Sequence, residues 1–162
     1  MLSVISSYAV AESHNLGVYI EASGSETAQN INYTYIPDPE DYEHLYWGLG
    51  FSGVQSDEAL ESNNRTKVFP VNLILGLRAN YTISPYIEFG VDLGDLVVDA
   101  ISGDSTEIDV TGSLGITYKV KNLNIYAYYK RYSVKFSESN SASKSVSTNN
   151  FGLPGLGISF EF

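Results

Sequence analysis

The chain has 162 residues, no cysteine and a formal charge of -10. That length bounds one domain, and the missing thiols exclude disulfides, thiolate metal sites and cysteine nucleophiles. The acidic balance excludes nucleic-acid binding through a broad basic face, because phosphate contacts need the Lys and Arg that are scarce here.

Residues 1–11 read as the remnant of a secretory signal. Ala9-Val10-Ala11 has the small-x-small form of a cleavage site, with Glu12 as the new amino terminus, although no basic residue precedes the apolar section. Residues 12–162 then form a single domain. Turn signals divide it into eight segments in which apolar and polar residues alternate, the mark of strands with one apolar face. The first runs from about His14 to Ala22, with Leu16, Val18 and Ile20 opposite Gly17, Tyr19 and Glu21. Ser23-Gly24-Ser25 turns the chain into a second, about Ala28 to Ile36, with Ile31, Tyr33 and Tyr35 opposite Asn30, Asn32 and Thr34. Pro37–Asp41 breaks it, since proline cannot donate to a ladder.

The third segment starts at Leu45 and sets Leu45, Trp47, Leu49 and Phe51 against Tyr46, Gly48, Gly50 and Ser52. After the polar loop Ser56–Thr66, the fourth puts Phe69, Val71, Leu73, Leu75, Leu77, Ala79 and Tyr81 on one face. Ile83–Pro85 leads into the fifth, where Ile87, Phe89, Val91 and Leu93 alternate with Glu88, Gly90 and Asp92. A loop from Gly94 to Thr106 precedes the sixth, with Ile108, Val110, Leu114, Ile116 and Tyr118 on one side. A tight Lys121-Asn122 turn gives the seventh, from Leu123 to about Val134, with Ile125, Ala127 and Tyr129 outward and Tyr126, Tyr128 and Lys130 inward. Ser137–Asn149 is a Ser/Asn-rich loop, and the last segment is Gly152–Phe162. There Phe162, Phe160, Ile158, Leu156 and Pro154 share a face opposite Glu161, Ser159, Gly157, Gly155 and Leu153.

Three features converge on one architecture. The segments have the roughly 9–11 residues that a tilted strand needs to cross a bilayer, and no apolar run approaches the roughly 18 residues of a spanning helix. After the first hairpin, short and long connections alternate, as in bacterial barrels. Outward aromatics gather at the short-turn end: Tyr35, Trp47, Tyr81, Tyr118 and the Phe160/Phe162 pair form a girdle, where amphipathic rings favour headgroup depth. The ending Gly157-x-x-Phe160-x-Phe162 resembles the carboxy-terminal assembly signal of bacterial outer-membrane β-barrels. From about His14 onward, the chain resembles the small barrels of the OmpA/OmpX type.

The resemblance implies an all-β fold, an eight-stranded antiparallel up-and-down transmembrane barrel with a filled interior, located in the bacterial outer membrane. It implies that barrel assembly machinery reads Gly157, Phe160 and Phe162. The partners expected around it are outer-membrane lipid and lipopolysaccharide, with a host or surface ligand at the loops and a monomeric barrel. The expected role is structural or adhesive, with no cofactor. A narrow solute channel and a soluble lipocalin-like carrier are the alternatives; the second requires the Leu73/Leu75/Leu77 face to point inward.

Arg78, Glu88 and Asp92 fall on the inward face around the Ile83–Pro85 break. Antiparallel pairing is expected to join Arg78 to Glu88 as an interior ion pair, with Asp92 as a third member. His14 and His44 are the two histidines. Neither sits beside a serine on its strand face, so no serine–histidine catalysis is expected, and both are expected to be solvated rim residues. Asp92, Asp95, Asp99, Asp104 and Glu107 lack a calcium-loop register and read as a solvated acidic loop. Asn32, Asn64 and Asn80 begin glycosylation-type triplets, which a bacterial origin makes irrelevant.

Overall fold

The structure is a computed structural model that describes residues 12–37, 43–55, 67–93, 105–140 and 143–162. The strands are β1 (Ser13–Ser23), β2 (Glu26–Ile36), β3 (Glu43–Gln55), β4 (Lys67–Val68), β5 (Val71–Ala79), β6 (Ile83–Asp92), β7 (Ser105–Val120), β8 (Leu123–Asn140) and β9 (Ser143–Glu161). Apart from β4 and β5, consecutive strands pair antiparallel with one another, and β9 returns to pair with β1. β4 and β5 both pair with β3 and are pieces of one stave. The interruption falls at Pro70, which has no N–H to give, while its carbonyl still accepts from Ser52 N at 3.1 Å. The nine strands therefore make a closed barrel of eight staves. Closure leaves no edge along the shared height of the wall.

The alternation dictates which side each residue takes. Leu73, Leu75 and Leu77 are 46%, 52% and 41% exposed on the outside, and Asn72, Gly76 and Arg78 lie inside. The same polarity holds for Leu16, Val18 and Ile20 on β1 and for Leu156, Ile158 and Phe160 on β9. A carrier with its apolar face around a ligand is thereby ruled out. The outward apolar run from Phe69 to Tyr81 spans roughly 30 Å along the axis, at about 3.3 Å per residue and a tilt of about 40°. In the seventh segment Tyr126, Tyr128 and Lys130 are buried inside, with Ile125 and Tyr129 exposed outside, as the sequence pattern predicts.

The hairpins correct several boundaries. Residues 137–140 and 143–149 are strand and not loop: β8 and β9 stay paired up to Asn140↔Ser143, so two strands stand well above the wall. β6 begins at Ile83, because Ser84 Oγ accepts from Tyr81 N at 2.9 Å and donates to Tyr81 O at 2.8 Å, which tightens the turn around Tyr81 and Thr82. Lys121 takes a left-handed φ of 56° in the short turn between β7 and β8. Residues 1–11 and the connections 38–42, 56–66 and 94–104 lie outside the described residues, and with them the cleavage-site expectation.

The closing seam stops for a chemical reason. Phe162 N donates to His14 O at 2.9 Å, and Phe162 O accepts from His14 N at 3.0 Å. Backbone groups alternate sides along a strand, so Phe160, Ile158, Leu156 and position 154 also direct theirs at β1. Position 154 is proline and cannot donate, and the pairing of β1 with β9 ends at Glu21↔Gly155.

Candidate functional site

Small barrels are just wide enough to be filled by side chains, and this one is filled in layers. At the β1–β2 hairpin end, Ala28, Val54, Val68, Tyr132 and Leu153 make an apolar cluster inside the wall, with Phe151 stacked on Tyr132 at 5.1 Å between ring centres. The middle layer holds Tyr86, Tyr126 and Tyr128, packed against Tyr19. Below it lie Ile36, Tyr46 and Ile74.

The rings fit because glycine faces them across the ladder. Tyr19 pairs with Gly157 and Tyr46 with Gly76. A Cβ at either glycine would collide with the tyrosine ring opposite.

Glu21 is the polar hub of the interior. It is 1% exposed, and its carboxylate accepts from Asn30 Nδ2 at 2.8 Å, from Tyr128 Oη at 2.7 Å and, in a very short contact, from Tyr132 Oη. Three donors on one buried carboxylate meet the requirement that a buried charge be hydrogen-bonded. Lys130 Nζ lies 5.3 Å from the centre of the Tyr132 ring, a cation–π contact. Glu88 receives Tyr46 Oη at 3.2 Å. Among the described residues lie two interior cavities of about 10 Å³ each, one beside Glu21, Glu88 and Lys130 and one beside Arg78 and Glu88. Each has the size of a single water. The described interior is therefore packed, with no continuous lumen among these residues.

Arg78 and Glu88 both face this interior, but they are not the expected ion pair. The register sets Arg78 opposite Tyr86 and Glu88 opposite Gly76. The turn is centred near Thr82, not within Ile83–Pro85, which displaces the two charges by one diagonal step. Arg78 instead reaches across to the last strand, with Nη2 3.7 Å from Glu161 Oε2. It also donates to Tyr126 Oη and approaches His44 Nδ1, each at 3.3 Å. Lys119 Nζ completes the cluster, 3.0 Å from Glu161 Oε2. Asp92 sits farther up the wall, where its Oδ1 accepts from Val71 N at 3.1 Å. It is buried in β6, not part of a solvated loop; Asp95, Asp99 and Asp104 lie outside the described residues.

His44 is also not a solvated rim residue. It is 0% exposed because β3 begins at Glu43, which gives His44 the same inward parity as Tyr46. His14 belongs to the outer rim. Its Nδ1 lies 2.6 Å from Tyr33 Oη, and its ring lies 5.8 Å from Tyr33, 5.4 Å from Tyr35 and 5.9 Å from Phe162. Trp47 meets Tyr35 edge-on at 5.5 Å, and Phe160 stacks with Phe162 at 6.5 Å. Trp47, Tyr35, His14, Phe162 and Phe160 thus form a continuous row of rings around four staves. Tyr81 and Tyr118 project outward at the same short-turn end, 59% and 48% exposed. Gly157, inward, lies two residues before the last buried position of β9, Ser159.

No protein-family model matches the chain, and no curated protein matches it. Among solved structures it is similar to the outer membrane protein AlkL, determined by solid-state NMR in DMPC lipid bilayers. The identity is 12% and the TM-score 0.44, with 93% of this chain and 88% of that chain covered.

Proposed function

We propose that this chain is a bacterial outer-membrane β-barrel with a structural and adhesive role, holding the β8–β9 hairpin and the neighbouring connections at the cell surface. The observation that carries this reading is the inverted polarity of the barrel. A band of exposed Leu, Ile, Val and Phe surrounds an interior of hydrogen-bonded Glu21, Arg78, Asn and Tyr side chains. In water such an exterior is a large aggregation-prone surface; in lipid it is the favourable arrangement. The aromatic row from Trp47 to Phe160 supports an interface with headgroups at the short-turn end. That end would face the periplasm, and lipid and lipopolysaccharide would surround the barrel as a monomer.

The packed interior favours a plugged barrel over a conducting one. His14 and His44 are engaged by Tyr33 and Arg78, which supports a structural part for both; in this reading the chain is not an enzyme. Assembly machinery would read Gly157, Phe160 and Phe162 on the closing strand.

Fractionation of expressing cells, a gel comparison of boiled and unboiled samples, and planar-bilayer recording test the proposal together. Recovery with outer membranes, heat-modifiable migration and no steady conductance are expected. Soluble recovery would overturn the membrane reading. Steady conductance from folded protein would replace the plugged barrel with a channel.

A further inference from the structure

At the end of the barrel opposite the aromatic row, the outward face changes character across β2, β3 and β4. On β2 the outward residues pass from Tyr33 and Ile31 to Gln29 and Thr27, and on β3 from Leu49 and Phe51 to Gly53 and Gln55. Gln29 pairs with Gly53, and Thr27 with Gln55. Gly53 removes one side chain from the middle of this face. The Phe69 ring, 77% exposed, stands beside the gap, 3.5 Å from where a Gly53 Cβ would lie. The result is a depression of about 180 Å³ lined by Thr27, Gln29, Gly53, Val54, Gln55 and Phe69.

We infer that this depression is a binding site for one neutral pyranose ring. It is smaller than the usual pocket for a drug-sized ligand and is suited to a single sugar ring. An exposed aromatic face packs against the apolar C–H face of a pyranose. The Gln29 and Gln55 amides, both lining the depression, each offer donors and an acceptor to ring hydroxyls. A purely apolar ligand would leave these amides desolvated and unpaired, which is costly. The chain's charge of -10 disfavours an anionic one. The site lies where the apolar band gives way to polar residues, the depth of lipid headgroups in the proposed orientation. A membrane glycolipid or a free glycan can present the ring. The pocket itself does not depend on the membrane reading; only the choice between these sources does.

The test uses the full chain folded in a zwitterionic detergent without sugar, titrated with methyl glucoside and followed by backbone amide shifts. Saturable shifts confined to residues 27–29, 53–55 and 69 are expected. Phe69→Ala should weaken binding at least about tenfold and Phe69→Trp should retain it. Gly53→Val should fill the depression and abolish binding. Heat-modifiable migration of each variant serves as the fold control, and its failure in the wild-type chain would count against the membrane reading, leaving the titration to decide the pocket. A second arm compares nanodiscs of phosphatidylcholine alone with discs carrying a glucosyl diacylglycerol. Shifts at the same residues in the glycolipid discs identify a headgroup site, and shifts with the free glycoside alone identify a soluble glycan. Unsaturable shifts, equal shifts with glycerol, or shifts unchanged in folded Phe69→Ala and Gly53→Val variants would overturn the inference.

Discussion

Replacing Glu161 by Gln isolates the contribution of the cluster that ties the last strand to the opposite wall. Arg78 is 5% exposed, Glu161 is 14% exposed, and their closest approach is 3.7 Å. Removing one partner of a fully buried pair costs on the order of 3–5 kcal/mol, because the other charge stays desolvated. Two features reduce that here. Arg78 keeps Tyr126 Oη and His44 Nδ1 as neutral partners, and Lys119, 29% exposed, can turn to water. A loss of about 2–3 kcal/mol is therefore expected for Glu161→Gln, and a similar loss for Arg78→Met. The double variant should lose clearly less than the sum, with a coupling of about 1–2 kcal/mol. The single tryptophan, Trp47, faces outward in the aromatic row and reports unfolding directly. Urea titration of the barrel in lipid vesicles, read by Trp47 emission, measures each corner of the cycle. The matching cycle of Arg78→Met with Glu88→Gln should show little coupling, since the register holds these residues one diagonal step apart. A larger coupling for Arg78 with Glu88 than with Glu161 would refute this assignment of partners.

Three further outcomes are expected. Leu75→Arg, on the outside at mid-height, should destabilise the barrel in vesicles by roughly 2–4 kcal/mol, and Asn72→Ser inside by about 1 kcal/mol; equal losses in urea titration would contradict the polarity of the wall. Glu21→Ala leaves Asn30, Tyr128 and Tyr132 without their shared acceptor and should cost about 2–3 kcal/mol, while Glu21→Gln, which can still accept, should cost less by the same titration. Deleting Phe162 removes both backbone bonds to His14 together with one ring of the row. Cells expressing that variant should show little heat-modifiable protein in the outer membrane, and wild-type amounts would count against a role for the last residue in assembly.

The wall of the barrel was legible because a closed sheet obeys a period of two. Once Leu73, Leu75 and Leu77 are on one side, parity alone assigns Asn72, Gly76 and Arg78 to the other. The short turns were legible where their chemistry is local, as at Lys121-Asn122. Length was less legible. Ser, Thr and Asn between Ser137 and Asn149 have loop composition, yet the backbones of β8 and β9 remain paired up to Asn140↔Ser143. Pairing of this kind is held by backbone bonds that no side-chain pattern announces. His44 was missed by starting its strand two residues late, at Leu45 instead of Glu43, which left a buried side chain looking like a rim residue.

The interior contacts were not legible for a different reason. Parity says which residues point inward, but not the height at which each lies, and height depends on register around the whole ring. A shift of two residues at one turn keeps every side chain on its face and still changes each partner. That is what separates Arg78 from Glu88 and gives it Glu161, 83 positions later in the chain, across a closure that only the completed barrel defines. A usable signal did exist. On the final strand Glu161 is the only charged residue of inward parity between Leu153 and Phe162, and a charge buried beside the closing seam needs a partner from another stave. Arg78 and Lys119, near the same short-turn end, are the cations that meet that need. The contact that best identifies the closed barrel is therefore also the one that pairwise reasoning along a hairpin could not reach.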